Sequence, residues 1–114
     1  MLTIEKLTDY GADIQSGLAR CMNNEGFYLR LVNMELGDAN FAKLNEALAA
    51  GDAKGAFEAA HALKGAAGNL SLTPIFEPVT ALTEKLRGAD TLPDVGDLPE
   101  RVSKAFEALK ALAE

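Results

Sequence analysis

AKGAFEAAHALKGAAGNL, residues 53–70, is the stretch that decides the fold. Its richness in alanine predicts one long helix across the whole stretch. At about 100° per residue, Leu63 and Leu70 share one face of this helix with several alanines, and His61 lies on the opposite face. We therefore expect an apolar stripe that faces a core and an imidazole that faces water.

The surface around His61 carries residues that are unusual inside an exposed helix. Gly65 and Gly68 follow at i+4 and i+7, and each glycine within a helix costs about 1 kcal/mol relative to alanine. Lys64, at i+3, brings a flexible ammonium group to the flank of the same face. These positions predict that another molecule approaches the imidazole closely. The pattern is typical of a histidine that carries a phosphoryl group and passes it to another protein.

Length and composition favour one small helical domain. The chain has 114 residues, 48% of them apolar, no tryptophan and a large share of alanine. Such a composition is typical of closely packed helices rather than of a sheet built from β-branched and aromatic residues. We therefore expect an all-α protein in which residues 1–114 form a single domain.

Charge and composition argue against several classes of function. The net charge of −6 disfavours a nucleic-acid partner, because proteins that bind nucleic acid usually concentrate Lys and Arg on one face. The lone cysteine, Cys21, cannot form an internal disulfide and is expected to pack in the core. One histidine and one cysteine are too few for a transition-metal site, so no metal or cofactor is expected. The N-terminal residues lack a signal-peptide pattern, and no apolar stretch approaches about 20 residues, which predicts a cytoplasmic protein outside the membrane.

Gly, Asp, Asn and Pro residues divide the chain into helical segments joined mostly by short turns. We expect helices over about Thr3–Tyr10, Ala12–Met22, Glu25–Leu36, Ala39–Ala50, Ala53–Leu70 and Pro74–Arg87, and a last one after Asp97. This order predicts an up-and-down antiparallel four-helix bundle with additional short N-terminal helices and a bundle core over residues 24–113.

Three local expectations accompany these helices. The spacing of Phe27, Leu31 and Met34 predicts a buried stripe on the third helix. Pro78 removes a backbone N–H and is expected to kink or loosen the start of its helix. Asp97, followed three residues later by an acidic residue, resembles a capping box at the start of the last helix.

The stretch from about Gly17 to Arg87 resembles the histidine-containing phosphotransfer (HPt) domain family. The hallmark of that family is Ala-His-x-Leu-Lys-Gly, which residues 60–65 match. Its flanks are also similar to this chain, at Gly51-Asp52, at Leu82 and Leu86, and in the N-terminal portion at Gly17-Leu18-Ala19-Arg20, Asn24 and Tyr28-Leu29-Arg30-Leu31.

The resemblance implies a phosphorelay intermediate of two-component signal transduction. His61 is then the phospho-accepting nucleophile, Lys64 attracts the phosphoryl oxygens, and Gly65 and Gly68 leave room for the partner. The implied partners are receiver domains of response regulators and a hybrid histidine kinase, with Mg²⁺ supplied by the receiver. The protein is expected to be a monomer. No autonomous kinase activity is expected, because the chain has no nucleotide-binding signature.

Two departures from the family leave alternatives open. Ser71 stands where members often have glycine, so the turn after the histidine helix can close differently. Members also often carry an amide or carboxylate near the position of Thr83 that holds the imidazole by a hydrogen bond. Either the Thr83 hydroxyl reaches the ring, or Glu84 replaces it, or the ring is freer than usual. These departures favour, as the alternative function, a receiver-binding adaptor that does not transfer phosphate.

Four further residues are candidates for a docking surface. Phe57, one turn before His61, is either a contact for the receiver or packs against a neighbouring helix. Lys54, Glu58 and Asn69 either border the docking surface or are simply solvated.

Overall fold

The computed structural model describes all 114 residues and contains seven helices and no strand. The helices are α1 (Ile4–Tyr10), α2 (Ile14–Arg20), α3 (Glu25–Glu35), α4 (Asn40–Ala49), α5 (Ala53–Asn69), α6 (Thr73–Leu86) and α7 (Leu98–Leu112). The all-α class and the predicted order of helices are confirmed.

Helices α4 to α7 form a bundle in which each helix packs against the next one in the chain. The rings of Phe41 on α4 and Phe106 on α7 stack with their centroids 3.6 Å apart, which closes the bundle between its first and last helices. The short helix α1 packs against α7, where the Tyr10 hydroxyl donates a hydrogen bond of 2.7 Å to the carbonyl of Ala105. The N-terminal helices thus cover one side of the bundle.

Helix α5 is central to the bundle because its small residues admit close neighbours on both sides. The Asp52 carboxylate caps its first turn by accepting a hydrogen bond of 2.9 Å from the Gly55 amide. Ala56, Ala60 and Leu63 are fully buried along one face, against α4 and α6. The opposite face, with His61, is exposed, as the sequence predicts.

The prediction for the buried face of α3 is wrong, because the face that the helix buries is shifted by about one residue from the predicted one. Tyr28 and Val32 are fully buried, whereas Phe27 is 40% exposed and Met34 is 66% exposed. The Tyr28 hydroxyl donates a buried hydrogen bond of 2.7 Å to the carbonyl of Leu70 at the end of α5. This contact between distant segments fixes which face of α3 turns inward.

Two expectations about helix starts also differ from the structure. Helix α6 runs without interruption through Pro78, which is buried, and the Phe76 amide donates a hydrogen bond of 2.9 Å to the Leu72 carbonyl, so the first turn is not loosened. The kink, the other expected effect of Pro78, stays a prediction. Asp97 precedes α7 but makes no side-chain capping bond. Its backbone, at φ −92° and ψ 7°, lacks the extended conformation that directs a capping side chain to the first amides, whereas Asn24 and Asp52 have it.

Cys21 is buried, as the sequence predicts. None of the seven helices combines the length and the apolar character that crossing a membrane requires.

Candidate functional site

The exposed side of His61 opens onto a surface groove of about 460 Å³ between α5, the turn that follows it and α2. The groove is lined by Asp13, Arg20, His61, Lys64, Gly65, Gly68, Asn69, Ser71, Thr73 and Phe76. The structure therefore brings together five residues that the sequence predicts at or around the site: His61, Lys64, the two glycines and Asn69. No group of three or more potential metal-ligating side chains is present.

Lys64 is held only loosely beside His61. Its side chain is 31% exposed, and its Nζ lies 3.9 Å from Oε1 of Glu84 on α6. Glu84 has a closer partner in Arg87, whose Nη2 lies 3.1 Å from the same oxygen. The hydrogen bond and the charge of Arg87, with a smaller effect from Lys64, lower the pKa of Glu84. Glu84 thus remains an anion that attracts Lys64 without binding it tightly.

Neither of the two candidates on α6 supports the imidazole by a hydrogen bond. Thr83 is fully buried, and its hydroxyl donates a hydrogen bond of 2.7 Å to the carbonyl of Val79 in its own helix. The carboxylate oxygens of Glu84 both accept hydrogen bonds from Arg87. Of the three alternatives, the structure agrees with a ring that has no hydrogen-bonding partner on α6.

Phe57 lies directly against the imidazole. The centroids of the two rings are 5.7 Å apart and their planes differ by 23°, so the rings stack. Phe57 is half-buried and packs against the hydrophobic core. The guanidinium carbon of Arg87 lies 5.2 Å from the centroid of the Phe57 ring. Phe57 therefore lies between His61 and Arg87, the residue that follows the last turn of α6, and its stack with the imidazole was not predicted from the sequence.

The surroundings of Gly65 and Gly68 differ, so the absence of a side chain has a different effect at each position. A Cβ atom added to Gly65 would meet no atom within 4 Å, so its position is open to solvent. A Cβ atom added to Gly68 would lie 3.0 Å from Cε1 of Phe76, a distance that forces the ring to move. Gly68 thus makes room for the Phe76 ring at the wall of the groove, and Gly65 leaves the surface in front of the helix clear.

Arg20 is a groove residue that sequence reasoning missed. Its Nη1 donates a hydrogen bond of 3.0 Å to the carbonyl of Gly68 and lies 3.5 Å from Oδ1 of Asn69. Helix α2 thus contributes a second cation to the groove, at the C-terminal end of α5, where carbonyl groups lack partners within the helix. Arg20 precedes Gly68 by 48 residues, and no local pattern in the sequence signals such a contact.

The other candidate docking residues lie in different places. Asn69 lines the His61 groove. Lys54 is exposed beside a separate depression that Phe57 and Asp90 also line. Glu58 is exposed and faces a separate depression between α4 and the start of α5. The structure therefore does not bring Lys54 and Glu58 into the groove.

The turn after α5 closes with Ser71 in the left-handed conformation, at φ +55°. Glycine adopts this region without steric cost, whereas a residue with a side chain is strained in it. The carbonyl of Ser71 accepts a hydrogen bond of 2.9 Å from the Asp13 amide, which ties the turn to the start of α2. The turn therefore has the backbone conformation that glycine favours, although Ser71 occupies the position.

Comparison with known proteins gives one match. The family model described as the Hpt domain matches residues 34–112, which is more than half of the chain. The matched segment contains α4 to α7 and therefore His61, Lys64 and both glycines of the groove. No curated protein and no solved structure matches the chain.

Proposed function

Since the chain belongs to the Hpt domain family, we propose that it is a phosphorelay carrier with His61 as the phospho-accepting residue. It takes a phosphoryl group from an aspartyl phosphate of one receiver domain and passes it to an aspartate of another. The observation that carries the proposal is the exposed imidazole at the edge of an open groove, with Lys64 beside it and no side chain at Gly65.

The chemistry requires little more than these groups. A neutral imidazole has an unprotonated ring nitrogen near neutral pH and is a competent nucleophile without a dedicated base. This nitrogen attacks phosphorus, and a P–N bond forms while the P–O bond to the aspartyl carboxylate breaks. The carboxylate leaves with the electron pair, and the proton on the other ring nitrogen passes to water. Transfer to the next receiver reverses these steps.

Charge neutralisation comes from both partners. The phosphoryl oxygens gain charge stabilisation from cations placed around them, which is the main catalytic requirement of phosphoryl transfer. We assign this role on the carrier to Lys64, and we expect the receiver to supply Mg²⁺. The open position at Gly65 lets the loops of a receiver come close to the imidazole.

The proposal also covers partners and setting. A receiver that docks over the groove forms a small, transient interface of at most about 1,200 Å² in total. We expect a hybrid histidine kinase to supply the phosphoryl group upstream, and we expect the carrier to act as a monomer in the cytoplasm. Autophosphorylation is not expected, because the sequence has no glycine-rich phosphate loop followed by Lys-Ser/Thr.

One observation favours a second candidate, a receiver-binding adaptor that transfers no phosphate. Thr83 is turned away from the imidazole into the core, so the ring lacks the hydrogen bond that members of the family often make at this position. An adaptor would still use the groove to bind a receiver.

One experiment separates the two functions. The protein is mixed with receiver domains that carry a radioactive aspartyl phosphate, and the label on the protein is tested in acid and in alkali. We expect acid-labile, alkali-stable label on the wild-type protein and none on His61→Gln, whose helical circular dichroism is unchanged because the side chain is exposed. Tight binding without label would favour the adaptor, and the absence of both binding and label would contradict both functions.

A further inference from the structure

The orientation of the His61 imidazole has no explanation in hydrogen bonding. Thr83 and Glu84, the nearest candidates on α6, use their polar atoms elsewhere. An exposed side chain on a helix usually exchanges between staggered rotamers, and only some of them direct a ring nitrogen towards an incoming group. An apolar contact that selects one orientation would therefore raise the fraction of time in which the ring is ready to react.

Phe57 makes such a contact. It precedes His61 by four residues, so the two side chains are neighbours on the surface of α5. Their centroid distance of 5.7 Å and interplanar angle of 23° fall within the range of favourable offset stacking between aromatic rings. The stack covers one face of the imidazole with a ring and leaves the groove side open.

Phe57 is itself fixed by its surroundings. It is half-buried and packs against the core, so it is not free to follow the imidazole into solvent. The guanidinium of Arg87 lies over its ring at 5.2 Å, which is an attractive cation–π geometry. Glu84 then holds Arg87 through two hydrogen bonds of 3.1 and 3.3 Å. The contacts run without a gap from α6 through Phe57 to His61.

We infer that Phe57 is a positioning residue, which holds the His61 imidazole in the orientation that accepts and donates the phosphoryl group, with Arg87 fixing Phe57 from α6. The inference rests on the proposed function. It assigns to an aromatic stack the task that a hydrogen-bonding side chain near position 83 often performs in the family. It also predicts that Phe57 affects every phosphoryl donor, whether or not the donor touches the rest of the protein surface.

The test uses a small phosphodonor beside a receiver. Phosphoramidate transfers its phosphoryl group as the P–N bond to ammonia breaks and a P–N bond to the imidazole forms, and the ammonia takes up a proton as it leaves. Phe57→Leu keeps an apolar side chain but removes the ring. We expect this variant to react about fivefold more slowly than the wild type with phosphoramidate and with a phosphorylated receiver alike, because the ring orientation limits both reactions.

A spectroscopic readout reports the stack directly. His61 is the only histidine, so its imidazole gives one unambiguous set of NMR signals. We expect Phe57→Leu to move the imidazole proton signals towards those of a free histidine, because the neighbouring aromatic ring no longer shields them. Phe57→Tyr retains the ring and should restore both the signals and the rates. Phe27→Leu, which removes an exposed ring from α3, is the matched control and should change neither.

The possible results decide between a positioning role and its alternatives. Slower transfer from the receiver with an unchanged phosphoramidate rate would show that Phe57 is a docking residue and would overturn the inference. Unchanged imidazole signals in Phe57→Leu would also overturn it. If Phe57→Leu unfolds, Arg87→Gln tests the same stack from its exposed end, and the inference requires the imidazole signals to shift and both rates to fall. Wild-type protein that takes no label from any donor would instead refute the proposed function.

Discussion

The substitution Gly65→Ala should separate stability from function. A Cβ atom at this position would meet no atom within 4 Å, so the added methyl group causes no clash inside the protein. Gly65 lies within α5, where alanine is favoured over glycine by about 1 kcal/mol. We therefore expect Gly65→Ala to be more stable than the wild type by about 0.5–1 kcal/mol, which corresponds to a rise in melting temperature of about 2–4 °C.

The same methyl group should slow transfer from a receiver. It points into the surface over which the receiver would dock, one turn from His61. Adding a methyl group to a closely packed contact typically costs about 1–3 kcal/mol, and each 1.36 kcal/mol in a barrier is about tenfold in rate. We expect transfer from a phosphorylated receiver to fall about tenfold or more, whereas the rate with phosphoramidate stays the same because a small donor does not need the cleared surface.

The measurements are urea unfolding followed by circular dichroism, and rapid-quench transfer with both donors. Gly68→Ala is the comparison variant, since its Cβ would lie 3.0 Å from Cε1 of Phe76, so the ring must shift and the gain in stability should be smaller than for Gly65→Ala. A more stable Gly65→Ala that accepts the phosphoryl group from a receiver at the wild-type rate would refute the idea that glycine clears the approach to His61. A less stable Gly65→Ala would contradict the open position seen in the structure.

Three further substitutions test the site and the fold. Lys64→Ala should slow transfer about tenfold, with unchanged urea unfolding, because the cation attracts the phosphoryl oxygens; equal transfer kinetics would refute that role. Burial, with Asp38 adding a hydrogen bond and a like charge, raises the pKa of Glu35 from 4.5 to about 8. Between pH about 5 and 8 the folded state therefore holds a proton on Glu35 that the unfolded state has lost, so the free energy of unfolding should fall as pH rises. We expect a fall of about 1 kcal/mol after solvent screening, and urea titrations of Glu35→Gln should not show it. Gly17→Ala should lower the free energy of unfolding, measured in urea, by about 1–2 kcal/mol, because its Cβ would lie 2.6 Å from Cε1 of the Tyr28 ring.

The parts of the fold that local sequence determines were predicted well. The periodicity of residues 53–70 was sufficient to place His61 on the exposed face of α5 and Leu63 in the core. The glycine at position 51 and the capping Asp52 marked the start of that helix. Each of these features depends on residues within one or two turns of each other, and helix geometry fixes their relation.

The face that α3 buries could not be predicted in the same way. Phe27 and Met34 form one apolar stripe on this helix, and Tyr28 with Val32 forms an adjacent one, so periodicity permits either. The structure chooses the second stripe through a tertiary contact. The Tyr28 ring fits against Gly17, and its hydroxyl reaches the carbonyl of Leu70. A sequence pattern contains no information about such a meeting of three distant segments.

In the candidate site, too, local spacing could be predicted from the sequence, whereas contacts between helices could not. His61, Lys64 and Gly65 lie within five residues on one helix, so their spacing alone predicts that they share one surface, which the structure shows. The roles of Arg20 and Gly68 depend on contacts between helices, with Arg20 reaching the end of α5 and Gly68 making room for Phe76. The direction of the Thr83 hydroxyl also depends on packing, since burial leaves it only the carbonyl one turn earlier in its own helix.

If His61 is phosphorylated as proposed, the geometry around Lys64 allows one side chain to serve both the resting and the phosphorylated protein. An exposed ion pair at 3.9 Å contributes little free energy, and Glu84 is bound more closely by Arg87. Lys64 therefore loses little when it leaves Glu84. A phosphoryl group on His61, one turn away, would offer close to two negative charges and three acceptor oxygens, so it would compete successfully for the ammonium group. Under the proposed function, Glu84 attracts Lys64 in the resting protein, and Arg87 stays hydrogen-bonded to Glu84 when Lys64 moves to the phosphoryl group.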